Sequence, residues 1–235
     1  MKDSKKAVPK RVIGLVIGIV VALIVLVIFF CVKNMSDFDA GKYVTTILDY
    51  TFKGRTNNPE EMFDENSLTQ LENQYEAQIT AFVEKSITGA VEMDEEMNKK
   101  YTALCKDIFK AMKYKVQTVT KKDENSYKVE VEFQSSDVFQ KYMTSTEGAY
   151  QQMQDKVNKG SEYKGTPEEI ELQMSKDILN NNYELLNVAY KEMQYSDKES
   201  VVFSVKRDAN EMFAMDSKEL SGFVEKILGL ATNQD

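Results

Sequence analysis

The chain has 235 residues, with 38 acidic and 30 basic side chains and a formal net charge of −8. Residues 1–33 hold six of the basic and one of the acidic side chains, so residues 34–235 carry 24 basic and 37 acidic side chains, a net charge of −13. The phosphates of a nucleic acid repel a domain of this charge, and the composition therefore argues against nucleic acid as a partner.

Histidine is absent, and Cys31 and Cys105 are the two cysteines of the chain. The lack of histidine excludes Ser-His-Asp catalysis, Cys-His catalysis and the usual zinc sites that contain histidine. Cys31 lies in an apolar run and Cys105 far beyond it, so no disulfide is expected between them. Cys105 is expected to be a small buried residue rather than a reactive thiol.

Residues 12–32 form an uncharged apolar run. A helix over these residues would be about 31 Å long, which matches the hydrocarbon core of a bilayer. A cleaved secretory signal or a lipoprotein signal needs small residues before its processing site, whereas Ile28, Phe29 and Phe30 precede Cys31. The run is therefore predicted to be an uncleaved transmembrane anchor.

Five basic residues precede this run, and acidic residues follow it closely. The basic residues are Lys2, Lys5, Lys6, Lys10 and Arg11. The positive-inside rule places the side with the basic residues in the cytoplasm. The chain is therefore predicted to be a single-pass protein of the cell membrane with its C-terminal domain outside the cell.

The predicted organisation has five parts. They are a cytoplasmic tail (1–11), a transmembrane anchor (12–32), a short linker (33–38), an extracytoplasmic domain (39–230) and a C-terminal tail (231–235). Gly14 and Gly18 form a small-xxx-small pattern in the anchor, which could support a weak homodimer between membrane helices.

Three helices are predicted in the first half of the domain. The first runs from a cap at Asp39 to Lys53 and ends at Gly54. The second begins near Ser67, and the third covers about 94–112 with an apolar stripe that is expected to face the core.

The periodicity then changes from that of a helix to that of a strand. In residues 126–134, apolar and polar side chains alternate strictly, which predicts a strand with one buried face. Tyr114, Val116 and Thr118 indicate a preceding strand, joined to it by a polar turn at residues 123–125. The pair predicts an antiparallel hairpin.

Helical spacing returns after the hairpin, from Val138 to Met153. Thr166, Pro167 and Glu169 predict the start of the next helix, with a capping box and proline at the first helical position. A second hairpin is predicted over residues 191–206, with its turn at 196–199.

Asp216 and Glu219 suggest a second capping box, at the start of a last helix. The predicted fold is one α+β domain, in which about six helices pack on antiparallel hairpins of about four strands. The recurring order of helices and hairpins hints at a duplication, but no residue pattern repeats clearly enough to establish one.

The densest acidic cluster consists of Glu92, Asp94, Glu95 and Glu96. It could attract calcium, but the alternating carboxylates and central glycine of a calcium loop are missing. Acidic residues at a helix start are favoured by the helix dipole, so a capping role is predicted here, as for Asp64 and Glu65.

Methionine and tyrosine each occur 12 times. The methionines follow helical stripes and are predicted to fill the core rather than to bind copper. A core or core-edge position is predicted for tyrosines near apolar stripes: Tyr43, Tyr75, Tyr101, Tyr142 and Tyr183. No catalytic, cofactor-binding or metal-ligating residue, and no cofactor, is predicted.

Two short stretches at the start of the domain resemble a family. They are Phe38-Asp39-Ala40-Gly41-Lys42-Tyr43-Val44 and Leu48-Asp49-Tyr50-Thr51-Phe52-Lys53-Gly54. They are similar to the opening of uncharacterised extracytoplasmic lipoproteins and membrane-anchored proteins of low-GC Gram-positive bacteria. This chain departs from the lipoprotein members because it lacks a lipobox, and the resemblance implies no active-site residue.

The leading hypothesis is a non-enzymatic binding or interaction module, held in the membrane by residues 12–32. Its partner would be a protein, peptide or glycan of the cell envelope. The alternative is an envelope hydrolase that uses carboxylates alone, which would need two or three converging Asp or Glu side chains in a deep pocket. A sensor has less support, because a tail of 11 residues is too short for an output domain.

Overall fold

The structure is a computed structural model that describes residues 38–57, 65–89, 93–158, 163–207 and 213–230. The predicted tail, anchor and C-terminal tail, with Gly14, Gly18 and Cys31, lie outside the described residues. Within the described ranges, every helix is too short or too polar to cross a membrane.

Three helices open the described part, as predicted. Helix α1 spans Ala40–Lys53, α2 spans Glu65–Phe82 and continues through a π-helical turn at Val83–Ile87, and α3 spans Glu95–Lys110. Asp39 caps α1 and Asp94 caps α3, each by accepting a backbone N–H of the first turn. Gly54 ends α1 in the left-handed conformation, with φ +67°.

The predicted first hairpin is confirmed. Strand β1 (Lys113–Asp123) pairs antiparallel with β2 (Ser126–Gln134), and Asp123 lies opposite Ser126 at the turn. Register shifts interrupt β1 at two places, which is common on an edge strand. The inward side chains Val129, Val131 and Phe133 of β2 are fully buried, as their alternation predicts.

Two long helices follow the hairpin. Helix α4 spans Val138–Asn158 and α5 spans Pro167–Lys191. The predicted capping box is confirmed: Glu169 N–H donates to Thr166 Oγ1, and Thr166 N–H donates to Glu169 Oε2. Helices α4 and α5 pack against each other.

The prediction of a second hairpin over residues 191–206 is wrong. Residue 191 is the last residue of α5, and Tyr195 makes only an isolated bridge with Ser136. Strand β3 (Glu199–Arg207) instead pairs with β2 on one side and with the three-residue strand β4 (Phe213–Met215) on the other. Both partners are antiparallel to β3.

The four strands form one antiparallel sheet in the order β1-β2-β3-β4. Helix α1 packs against β1 and β2, and the last helix, α6 (Ser217–Ile227), packs against β3. Phe223 of α6 lies at the centre of this contact, with its ring centroid 5.1 Å from that of Phe133 and 5.3 Å from that of Phe203. The predicted α+β class and the predicted numbers of helices and strands are therefore confirmed in the described part of the chain.

Candidate functional site

A groove of about 530 Å³ lies between the N-terminal half of α3 and the middle of α5. The residues that line it are Met93, Asp94, Glu96, Met97, Lys100, Leu172, Ser175, Lys176, Leu179 and Asn180. Leu172 is 58% exposed, the largest exposure among the large hydrophobic side chains of the described chain. A concave groove that apolar and polar side chains line together is the usual form of a ligand site, so the groove is the candidate binding site.

Tyr101 fixes the position of α3 relative to α5 beneath the groove. Its hydroxyl donates to the backbone oxygen of Leu179 at 2.7 Å, and its ring meets that of Tyr183 edge-on with 5.5 Å between centroids. Burial raises the pKa of Tyr101, so this hydroxyl keeps its proton. A buried tyrosine with a satisfied hydroxyl holds the two helices at a fixed spacing, and the floor of the groove is consequently preformed.

The floor of the groove is apolar and its rim is charged. Met93, Met97 and Leu179 contribute apolar surface, and all three also pack against the core. On the rim, Lys100 Nζ lies 2.8 Å from Glu96 Oε1. The hydrogen bond with Glu96 and its negative charge raise the pKa of Lys100, and both side chains of this pair are exposed to solvent on the rim.

The acidic cluster acts mainly on its own helix. Asp94 Oδ1 accepts the Met97 N–H at 2.9 Å, which confirms the predicted cap, and Glu95 pairs with Lys99. Glu92 lies outside the described residues, as does Asp64, and Glu65 lies in the first turn of α2. Within the described ranges, no three His, Cys, Asp or Glu side chains come together in a way that could hold a metal ion.

A second polar cluster is centred on Asp49, which is 8% exposed. Its Oδ1 accepts hydrogen bonds from the Tyr114 hydroxyl and from Lys53 Nζ, both at 2.7 Å, and its Oδ2 accepts one from Thr56 at 3.2 Å. Burial, and then the charge of Asp49, raise the pKa of Tyr114. Because three donors satisfy the carboxylate, the cluster joins α1 to β1 and has a structural role.

Lys128, Ser204 and Glu219 form a chain that the sequence analysis missed. Lys128 Nζ donates to Ser204 Oγ at 2.5 Å, and Ser204 Oγ donates to Glu219 Oε1 at 2.6 Å. Although a serine beside a lysine resembles a nucleophile with its base, this hydroxyl proton is directed to Glu219 and the serine is buried.

Glu219 also corrects the prediction of a second capping box. Asp216 caps α6 as predicted, by accepting the N–H groups of Lys218 and Glu219. The Glu219 carboxylate, however, accepts the Ser204 N–H at 2.5 Å. The carboxylate thus takes the place of a strand carbonyl where β4 ends. No local pattern could indicate this role, because Ser204 and Glu219 are 15 residues apart.

The predicted core positions of the tyrosines and of Cys105 are confirmed. Tyr43, Tyr75, Tyr101 and Tyr142 are buried, and Tyr183 packs at the edge of the core. Cys105 is a free, fully buried thiol whose pKa is raised by burial. Among the methionines, Met112, Met174 and Met215 fill the core as predicted, whereas Met93 and Met97 also face the groove.

Comparison with known proteins yields a similarity of fold. The sequence matches no protein-family profile and no curated protein. The structure is similar to the crystal structure of YcdA from Bacillus subtilis, described as a "putative lipoprotein", with a TM-score of 0.50 and 13% sequence identity. The similarity covers 80% of this chain and 55% of that chain, so this chain corresponds to little more than half of that protein.

Proposed function

We propose that the chain is a membrane-anchored extracytoplasmic binding module without enzymatic activity, whose ligand is a peptide segment of a cell-envelope protein. The observation that carries the proposal is the preformed groove between α3 and α5, with Leu172 exposed at its edge. A groove with apolar side chains on its floor and a few polar or charged groups is the usual form of a site that selects a ligand.

The location rests on the first 33 residues and on the fold. The apolar run 12–32 is long enough to span a bilayer, and the basic residues before it favour an outward-facing domain. The bulky residues before Cys31 favour an anchor that stays in the chain. A Bacillus subtilis protein described as a putative lipoprotein shares the fold, which agrees with a module held at the membrane surface.

The lining of the groove favours a peptide over a glycan. None of the described residues that line it is aromatic, whereas sugar rings are usually held against aromatic faces. Methionine side chains adapt to apolar side chains of different shapes, as in other peptide-binding surfaces. The Glu96–Lys100 pair and Lys176 add charges that could orient a peptide along the groove.

The geometry does not favour the alternative of a hydrolase that uses carboxylates alone. Asp94 and Glu96 are the carboxylates among the described residues of the groove. The first is bound to the backbone of its own helix, and the second is paired with Lys100. Neither is placed opposite a second carboxylate across the groove, as glycoside hydrolysis would require.

A photo-crosslinking residue at position 172 of the full chain, in intact membranes, tests this function. We expect a reproducible adduct with one envelope protein, mapping to a peptide with an apolar side chain. Met97→Glu should lower the adduct yield about tenfold or more, because it places a charge on the apolar floor, and tenfold corresponds to only about 1.4 kcal/mol.

Position 202 is the matched control, because Val202 is 48% exposed on β3 and does not line the groove. Equal yields at positions 172 and 202, or no reproducible adduct at 172, would contradict the proposed groove. An adduct with a glycan would retain the binding function and refute the peptide.

A further inference from the structure

One end of the sheet collects four segments of the chain. The turn of the β1–β2 hairpin, the last residues of β3 and the start of β4 meet there, because Ser126 lies opposite Lys206 and Arg207 lies opposite Phe213. The Arg207 N–H donates to the backbone oxygen of Asn125 at 2.8 Å, which ties β3 to the hairpin turn. The chain enters the domain at the same end, through Phe38.

Phe38 is firmly packed at this end. Its ring stacks on that of Phe213 with 4.0 Å between centroids, and it lies 5.5 Å from the ring of Tyr127 and 5.6 Å from that of Tyr43. Strands β2 and β4 and helix α1 therefore hold the first described residue of the domain. The position of Phe38 fixes where the linker leaves the body of the domain.

The length of the linker brings this end close to the bilayer. Six residue steps separate Phe38 from the end of the apolar run at residue 32. A fully extended chain covers at most about 3.6 Å per residue, so Phe38 lies within about 22 Å of the end of the span. This step rests on the proposed function, because it assumes that residues 12–32 span the membrane.

Five basic residues lie in the segments that meet at this end, and two of them are close to the aromatic rings. The five are Lys42, Lys121, Lys122, Lys206 and Arg207. Lys121 Nζ lies 5.9 Å from the centroid of the Tyr127 ring, and Arg207 Cζ lies 5.9 Å from that of Phe213. Lysine and arginine beside aromatic rings are typical of protein surfaces that meet lipid headgroups.

Among the described residues, three acidic side chains lie at this end against the five basic ones. Asp39 caps α1, Asp123 binds the Asn125 N–H and the Ser126 hydroxyl, and Glu124 is exposed at the turn. Asp37, Asp208 and Glu211 adjoin these segments in the sequence, outside the described residues. With these three, six acidic residues stand against five basic ones, a net charge of −1, whereas residues 34–235 together carry −13. An anionic surface therefore repels the body of the domain strongly and repels this end much less.

We infer that this end, defined by Lys42, Lys121, Lys122, Lys206, Arg207 and the rings of Phe38, Tyr127 and Phe213, docks on anionic lipid headgroups of the membrane that anchors the chain. The contact holds the domain in one orientation, with the opposite end of the sheet pointing away from the bilayer. Each lysine close to an anionic bilayer strengthens such docking roughly fivefold.

Energy transfer from the domain to a headgroup-labelled lipid tests the docking. The full chain is placed at one copy per nanodisc, in phosphatidylcholine with or without phosphatidylglycerol. A donor is attached at Glu124→Cys, at the hairpin turn, or at Asp197→Cys, near the start of β3. The background is Cys31→Ser, and Cys105 does not react because it is fully buried.

We expect phosphatidylglycerol to raise the transfer from position 124 and not from position 197, and added salt to reverse the rise. The triple variant Lys121→Gln, Lys122→Gln, Lys206→Gln should lower the ratio of docked to undocked domain about a hundredfold and remove the rise. The control triple variant replaces three exposed lysines away from this end: Lys110→Gln, Lys191→Gln and Lys198→Gln. It changes the net charge by the same amount and should leave the rise in transfer unchanged.

Equal transfer from position 124 on neutral and anionic discs would overturn the docking, as would equal effects of the two triple variants. Flotation of the full chain with liposomes after an alkaline carbonate wash tests the anchor separately. A chain that floats but shows no lipid-charge effect would retain the anchor and refute the docking. A chain that is washed off would refute the proposed function itself.

Discussion

Phe223→Ala is expected to lower the free energy of unfolding by about 4 kcal/mol, the usual loss when a buried phenylalanine is truncated. Phe223 is 1% exposed and meets the rings of Phe52, Phe133 and Phe203 edge-on. It thus joins α6 to α1 and to both central strands. Edge-to-face pairs add about 0.5–1.5 kcal/mol each to the transfer energy of the ring, and truncation to alanine removes all three pairs.

Urea unfolding of the full chain in micelles, followed by circular dichroism, measures this loss. Phe223→Leu keeps part of the volume but loses the three ring pairs, so it should cost about 2 kcal/mol, less than the alanine variant. Leu172→Ala, at an exposed position, should stay within about 0.5 kcal/mol of the wild type. A loss below about 1 kcal/mol for Phe223→Ala would contradict the packing of α6 on the sheet.

Asp49→Ala is expected to cost about 3 kcal/mol, because it leaves the Tyr114 hydroxyl without its acceptor between α1 and β1. The pair with Lys53 contributes little of this, since that lysine side chain is 38% exposed and its charge is screened by solvent. Tyr114→Phe, which removes only the donor, should cost about 1 kcal/mol. The same unfolding measurement applies to both variants.

The double variant Asp49→Ala with Tyr114→Phe separates the network from simple loss of packing. It should cost about 1 kcal/mol less than the sum of the single variants, because the phenylalanine leaves no unpaired hydroxyl. Strictly additive losses would show that the hydrogen bond between these residues does not stabilise the fold.

The first hairpin could be predicted because its information is local. Tyr127, Val129, Val131 and Phe133 alternate with polar residues, and the partner strand lies just before the turn. The prediction of the second hairpin was wrong for two reasons. Strand β3 pairs with β2, whose residues lie about 70 positions earlier, and its other partner, β4, has three residues and is too short to show a period. Pairing between distant segments depends on the core, and a single sequence does not reveal it.

The groove was missed for a similar reason. Met97 belongs to a helical stripe and was assigned to the core, and its packing there is correct. The same side chain also lines the groove beside the contact between Tyr101 of α3 and Leu179 of α5. These two residues are 78 positions apart in the sequence, so no local pattern indicates the groove. Nothing in the sequence around Leu172 indicates that its side chain is exposed, because exposure depends on how the helices pack.

Protease treatment of intact cells, with the mass of the released fragment, tests the central claim most directly. The claim is that residues 12–32 anchor an outward-facing domain. It predicts that the added protease releases a fragment that begins after the apolar run and contains the groove, while residues 1–32 stay with the membrane. A C-terminal domain that survives in intact cells and is digested only after lysis would contradict it.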